Sequence, residues 1–327
     1  KGNSISAPAI GTAHIATGDG GAGESFVNVG ITYLTPPAAP NSSIIAKYIG
    51  NYQTNAIYSD STYGYLAIIG TTNQVRILNI ASQPYIEVGT ISIAGSTNAN
   101  GIDVIGNTAY VTSGNKLYKV DVTNRNGSHS PSVSKVMYLD LFESGVTARQ
   151  VKVVGTRVFV TVEGSLSGLQ LFRTTDLKLM GLGKLTYKNS PRGLFVNSTG
   201  TRAYVAFSGG TGSIPRGFFI INTYEPESFW VPLFAFYIHF NVGSYNTGES
   251  DPRGMAIAPG NSNRALIGGT GVTGSAQKQE YQVVNISNES TPTWCGGLDI
   301  PTGVTGLTGA LDQYSNVFSF LLTGETN

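Results

Sequence analysis

Ala109-Tyr-Val-Thr-Ser-Gly-Asn-Lys-Leu-Tyr-Lys-Val-Asp-Val-Thr-Asn124 is the stretch whose reading decides the fold. Apolar and polar residues alternate with period two through Ala109 to Thr112 and again through Leu117 to Val122, with Ser113-Gly114-Asn115 between them. Period two is the period of a strand, and a short Gly-containing break between two such runs is a hairpin turn. A hairpin alone is marginal in water, so this unit calls for neighbours like itself.

The chain supplies them. Working outward, the hairpin is preceded by Gly101-Ile-Asp-Val104 and followed by Val133 to Leu139, which makes a unit of four short strands. Similar units begin near Asn55, Arg149, Arg192 and Arg253, and an incomplete one begins near Thr305. The spacings between these starts are 45, 49, 43, 61 and 52 residues. Four-stranded repeats of roughly 40 to 50 residues are the signature of propeller blades, with insertions falling in loops. The long fourth repeat is expected to carry its excess in Ser208 to Arg216 and beyond Asn241.

The last unit supplies only a first and a second strand, Gly306 to Leu311 and Val317 to Leu322. Near the other end, Glu24 to Tyr33 and Ser43 to Ile49 form a surplus pair. The expectation is an all-β fold, a β-propeller of four-stranded blades in which the N- and C-terminal strands share one blade and close the ring. That arrangement has six blades. Seven is the alternative, with Ala9 to Ala16 starting a separate N-terminal blade. Residues 1–23 read as a Gly-rich N-terminal extension and 24–327 as a single propeller domain.

Composition agrees with strands and turns. There are 42 Gly and 17 Tyr, and only 12% of residues are charged. Such a chain does not resemble one of Ala-, Glu- and Lys-rich helices. A net charge of +1, with no block of Lys and Arg, gives no footprint for nucleic acid. The longest apolar run, Phe229 to Phe240, has twelve residues and includes Pro232, which is short for a membrane helix. Cys295 is the only cysteine, so no intrachain disulfide or Cys-rich metal site can form.

Ser190-Pro-Arg-Gly-Leu-Phe-Val-Asn-Ser-Thr-Gly-Thr-Arg-Ala-Tyr-Val-Ala206, with Ala109 to Thr112 and Leu117 to Thr123, resembles the YVTN and LVIVD families of β-propeller repeats. The resemblance touches every repeat and is sharpest in the second, fourth and fifth. It implies a secreted or cell-surface protein of bacterial or archaeal type, some of whose relatives stand on surface layers or appendages. It also implies a kinship with lactonase-like propellers, a group that includes enzymes. One propeller scaffold hosts many activities, so this resemblance speaks to fold before function.

The start of each first strand lies at the mouth of a propeller's central channel. The equivalent positions are Asn55, Asn100, Arg149, Arg192, Arg253 and Thr305. Three guanidiniums converging on one opening suit a carboxylate or phosphate, because Arg offers planar paired donors. The plainer reading is that Pro-Arg-Gly is a repeat feature, each Arg bonding backbone carbonyls or Asp251 and Glu249 to stitch adjacent blades. His14, His129 and His239 are scattered, His129 in a Ser-rich loop, so no metal site or cofactor is expected. Asp121, Asn124 and Asn126 read as turn formers rather than a calcium loop. Phe229, Trp230, Phe234 and Phe236 are candidates for an interaction surface on an outer strand, or for apolar packing between blades. Sequons at Asn41, Asn126, Asn197, Asn285 and Asn288 are candidate glycosylation sites.

The function expected from these features is that of a non-enzymatic extracellular binding, adhesion or structural module. It would be displayed at a cell surface, would bind protein or glycan or associate with itself, and would serve as a repeated subunit of an assembly or filament. The alternative is a lactonase-like hydrolase acting on an anionic small molecule at the channel mouth.

Overall fold

The computed structural model describes residues 10–19, 23–32, 49–50, 52–137, 146–164, 167–185, 190–208, 217–223, 239–247, 251–258, 262–270, 280–300, 303–311 and 317–323. Every regular element among them is a strand. They form an all-β propeller of five blades, each built around four strands close together in the sequence.

The first blade is Gln53–Ser59, Tyr63–Ile69, Val75–Asn79 and Ile86–Ile91. The second is Gly101–Ile105, Thr108–Ser113, Lys116–Asp121 and Pro131–Val136, and the third is Thr147–Val154, Arg157–Glu163, Ser167–Arg173 and Leu179–Leu185. The fourth is Ser190–Val196, Arg202–Ser208, Gly217–Thr223 and His239–Asn246, and the fifth is Asp251–Ile257, Arg264–Thr270, Tyr281–Asn285 and Thr293–Leu298. Within each blade the pairing is antiparallel.

The repeat count predicts six blades, or seven, and the structure shows five. The remaining sheet is put together differently. Its order is Val304–Leu311, Val317–Thr323, Ile10–Asp19, Gly23–Thr32 and Ile49–Gly50. Ile10–Asp19 runs parallel to Val317–Thr323, with Thr12 opposite Phe318 and Thr17 opposite Thr323. The third place, expected for Glu24 to Tyr33, is therefore taken by a strand from the stretch read as an extension. No hairpin links the strands of this seam, so no local turn signal marks it in the sequence. Because Ile10–Asp19 belongs to this sheet, it does not begin a separate N-terminal blade.

Two further expectations are corrected. The outer strand of the fourth blade is His239–Asn246, in the region expected to be an insertion beyond Asn241. Gly127–His129 is not loop but a short strand, added in parallel to the outer edge Ile86–Ile91 of the first blade. Phe229, Trp230, Phe234 and Phe236 lie outside the described residues.

The founding hairpin turns at Gly114-Asn115, with Ser113 opposite Lys116. Gly114 has φ of +54°, the left-handed backbone that a two-residue hairpin loop needs at its first central position. Its strands are more buried than simple alternation implies, since Ala109 through Ser113 are all inside. Ala109 and Val111 pack toward the first blade with Tyr65 and Ile77, and Tyr110 packs toward the third with Val158 and Phe172. A middle strand therefore feeds two cores, one through each face. The same division recurs in the fourth blade, where Val205 and Phe207 face the third blade and Tyr204 and Ala206 face the fifth.

The first strands line up side by side around the axis. Each contacts the first strand of the next blade, and Val304–Leu311 contacts both Asp251–Ile257 and Gln53–Ser59. The repeated glycine after the mouth position makes this approach feasible. A Cβ at Gly101 would sit 2.6 Å from the Arg149 carbonyl oxygen, one at Gly193 2.8 Å from the Met255 nitrogen, and one at Gly254 2.5 Å from the Leu307 nitrogen. Side chains there would push neighbouring blades apart.

Candidate functional site: the channel mouth

Asn55, Asn100, Arg149, Arg192 and Arg253 line one cavity of about 210 Å³, together with Gln53 and Gln150. Each lies at or near the start of the first strand of its blade, where the chain reaches the axis. The ends of the second strands stand beside them, because Thr147 pairs with Glu163, Ser190 with Ser208 and Asp251 with Thr270.

The two asparagines bond across blades. Asn55 Nδ2 donates to the Ala99 carbonyl at 2.9 Å, and Asn100 Nδ2 donates to the Ala148 carbonyl at 2.8 Å. Each therefore caps the residue just before the equivalent position of the next blade. Gln150 Nε2 returns a bond to the Asn100 carbonyl at 3.2 Å. One turn deeper along these strands, Lys152 Nζ donates to Asp103 Oδ1 at 2.6 Å, and the Val153 amide donates to Asp103 Oδ2 at 2.6 Å. Burial is the main influence on Asp103 and raises its pKa, although Lys152 and the amide bonds pull the other way.

The arginines behave differently. Arg149 is paired through Nε with Glu163 in its own blade, and Arg253 Nη2 lies 2.8 Å from Asp251 Oδ2, also in its own blade. Arg192 donates from Nε to Ser208 Oγ at 3.2 Å. Among the described residues no carboxylate is bonded to Arg192. Burial lowers its pKa, and the charges of Arg149 and Arg253 lower it further. Among the described residues, three guanidiniums face two paired carboxylates at the mouth, an excess of one positive charge.

Glu163 also accepts a hydrogen bond from Ser190 Oγ at 2.7 Å. Burial works to raise its pKa, but this bond and Arg149 outweigh burial and hold it below the usual carboxylate range. Glu163, Ser190, Ser208 and the Asp103–Lys152 pair were not singled out by sequence reasoning. The available signal was positional: Asp103 and Lys152 each lie three residues beyond a mouth position, and Glu163 and Ser208 close their second strands.

A larger cavity of about 470 Å³ adjoins the mouth and shares Asn55, Gln150, Arg192 and Arg253 with it. Its wall includes Ile57, Ile102, Leu194, Met255, Ile257 and Leu307. These side chains keep 4% to 8% of their surface exposed, whereas residues between blades such as Leu66, Val111 and Val205 keep none. The difference marks them as channel wall.

The other candidates fall elsewhere. Asp121 Oδ1 accepts from the Thr123 amide at 2.8 Å and from Thr123 Oγ1 at 2.6 Å, the bonding of a turn former. Asn285 does the same for the Ser287 amide at 3.0 Å. Among the described residues no group of three His, Cys, Asp or Glu is placed to hold a metal. Of the sequons, Asn126 and Asn288 are exposed. Asn197 spends its Nδ2 on Thr201 Oγ1 at 3.1 Å, and Asn285 is half-buried against Arg264. Asn41 and Glu249 lie outside the described residues, and Thr305 is placed on the strand Val304–Leu311.

No protein-family profile matches the chain, and no curated protein matches it. Solved structures do. One, from Bacteroides uniformis ATCC 8492 and named provisionally as a 6-phosphogluconolactonase, superposes with a TM-score of 0.55 at 12% identity. The match covers 88% of this chain and 86% of that one. Another, Hsv2 of Kluyveromyces marxianus, has a TM-score of 0.47 at 6% identity, covering 84% of this chain and 83% of that one. At such identity the first likeness speaks for the propeller fold alone.

Proposed function

We propose that this chain is a non-enzymatic extracellular β-propeller that serves as a binding or structural module and holds an anionic group at its channel mouth. The observation that carries the reading is Arg192, a half-buried guanidinium between two other arginines with no bonded carboxylate of its own among the described residues. An anion there relieves like-charge repulsion and meets paired donors. Titration calorimetry with acetate and inorganic phosphate tests it: binding to the native chain is expected, with loss in Arg192→Gln. Absence of binding to the native chain refutes it.

The name of the Bacteroides uniformis structure favours the hydrolase alternative, in which the same arginines hold a phosphorylated lactone. The mouth carboxylates argue against it. Glu163 is held below the usual range, which makes it a weak base for activating water, and Asp251 is engaged in an ion pair with Arg253. Turnover of 6-phosphogluconolactone that disappears in Arg192→Gln would establish the alternative.

The structural side of the reading rests on the terminal sheet. Its strand Val304–Leu311 lies between the first and fifth blades, which supports a role for this sheet in closing the ring. Its hairpin Ile10–Asp19 and Gly23–Thr32 meets the C-terminal strand through the parallel seam. A second copy of the chain has the same edge, so exchange of this hairpin between copies would link subunits into a surface assembly. Electron microscopy and light scattering are expected to show polymers for the full chain and none for a chain lacking residues 1–32. Polymers that persist without those residues would exclude hairpin exchange. Asn126 and Asn288, being exposed, are the sequons best placed to carry glycan on such a surface.

A further inference from the structure

We propose that the channel binds an alkyl carboxylate, with its head on Arg192 at the mouth and its chain in the larger cavity against Ile102, Leu194, Met255 and Leu307. This rests on the reading of the mouth as an anion site and goes on to name the class of anion. Two observations select it. Among the described residues the mouth has a single positive charge in excess, which matches a monoanionic carboxylate better than a dianionic phosphate. Among the described residues Arg192 bonds through Nε to Ser208 alone, which leaves its two terminal nitrogens to grip the planar head group in parallel.

Behind the head, the wall turns apolar at once. Ile57, Ile102 and Leu194 each lie two residues beyond their own mouth position, and Met255 and Ile257 follow Arg253 by two and four. From Arg253 to Ile257 an extended strand covers about 13 Å, which sets the depth available to a chain. A cavity of about 470 Å³ is of the size that holds small molecules. The charged group in this wall beyond the arginines, Lys152, is already neutralised by Asp103. An alkyl chain therefore meets apolar surface without stranding a free charge.

Calorimetry on the full chain with acetate, butanoate, hexanoate and octanoate reads this directly, with octylammonium and inorganic phosphate as controls. Affinity is expected to rise roughly fourfold per added methylene until the chain fills the depth of the cavity. Octylammonium is expected not to bind, and Arg192→Gln to lose the whole series. In Leu194→Thr, with its fold checked by circular dichroism, acetate affinity is expected to be kept and the gain with chain length reduced. Equal affinity for acetate and octanoate would overturn the inference while leaving the anion site standing. No binding of any carboxylate or of phosphate would overturn both. Octylammonium binding as tightly as octanoate would remove the role given to Arg192.

Discussion

The two sides of the channel use the same strand position for opposite ends. In the first and second blades the position is Asn, and its amide reaches across to the backbone of the next blade. In the third, fourth and fifth blades it is Arg, and the bonds in the structure stay within the blade. A polar group that bonds across a boundary holds neighbouring blades together, and its donor is spent there. One that bonds at home leaves its charge facing the lumen. Equivalent residues in a repeat are therefore not equivalent in role, and bonding direction separates architecture from a ligand site.

The strongest test lies on the cross-bonded side. Lys152→Met would leave Asp103 buried with its partner gone, and a loss of about 3–5 kcal/mol is expected in urea unfolding at pH 7. The sign with pH follows from the raised pKa of Asp103. The folded state prefers the protonated acid, so its contribution is full below the unfolded pKa and is lost as pH rises through the folded one. The deficit of the variant should therefore shrink as pH is lowered from 7 toward 4. A deficit independent of pH would mean that the ionised carboxylate is not what the lysine supports.

Next comes the close approach of the first strands. Gly101→Ala and Gly254→Ala each place a Cβ inside the contact distance of a neighbouring backbone, and overpacking of this kind costs about 1–3 kcal/mol. Gly101 tests contact between two of the five blades, whereas Gly254 tests contact between the fifth blade and the terminal sheet. Similar costs in thermal melts would place the terminal sheet in the ring on the same terms as a blade. A negligible cost at Gly254 alone would detach it.

Asn100→Ala should cost about 1–2 kcal/mol, because the Ala148 carbonyl loses its donor, and anion binding at the mouth should be little changed. Arg192→Gln should show the reverse pattern: a stability change within about 0.5 kcal/mol, since it relieves crowding among three like charges, with loss of the anion. If Arg192→Gln instead unfolds the protein while Asn100→Ala does nothing, the division between the two sides is wrong.

Several of these features were legible beforehand. Repetition located the mouth, because Asn55, Asn100, Arg149, Arg192 and Arg253 recur at one position and a propeller carries that position to its axis. The bonding of Asp121 as a turn former was equally plain, since the turn is made within three residues. Alternation was a poorer guide to burial. It suggested one dry and one wet face for Ala109 to Thr112, whereas packing blade on blade buries both. Aromatic residues at 229–236 lie outside the described residues, in which the outer strand of that blade is His239–Asn246.

By itself, then, the sequence determined what is local and periodic: strands, hairpin turns, the four-stranded unit and the residue type at each mouth position. Tertiary structure alone decided what depends on distant partners. The parallel seam between Ile10–Asp19 and Val317–Thr323 has no connecting turn, and its two strands lie at opposite ends of the chain. Whether a mouth side chain reaches the next blade or stays at home depends on how closely those blades approach. That distance is fixed by glycines such as Gly101 and Gly254 and by the backbone opposite them, which no local pattern contains.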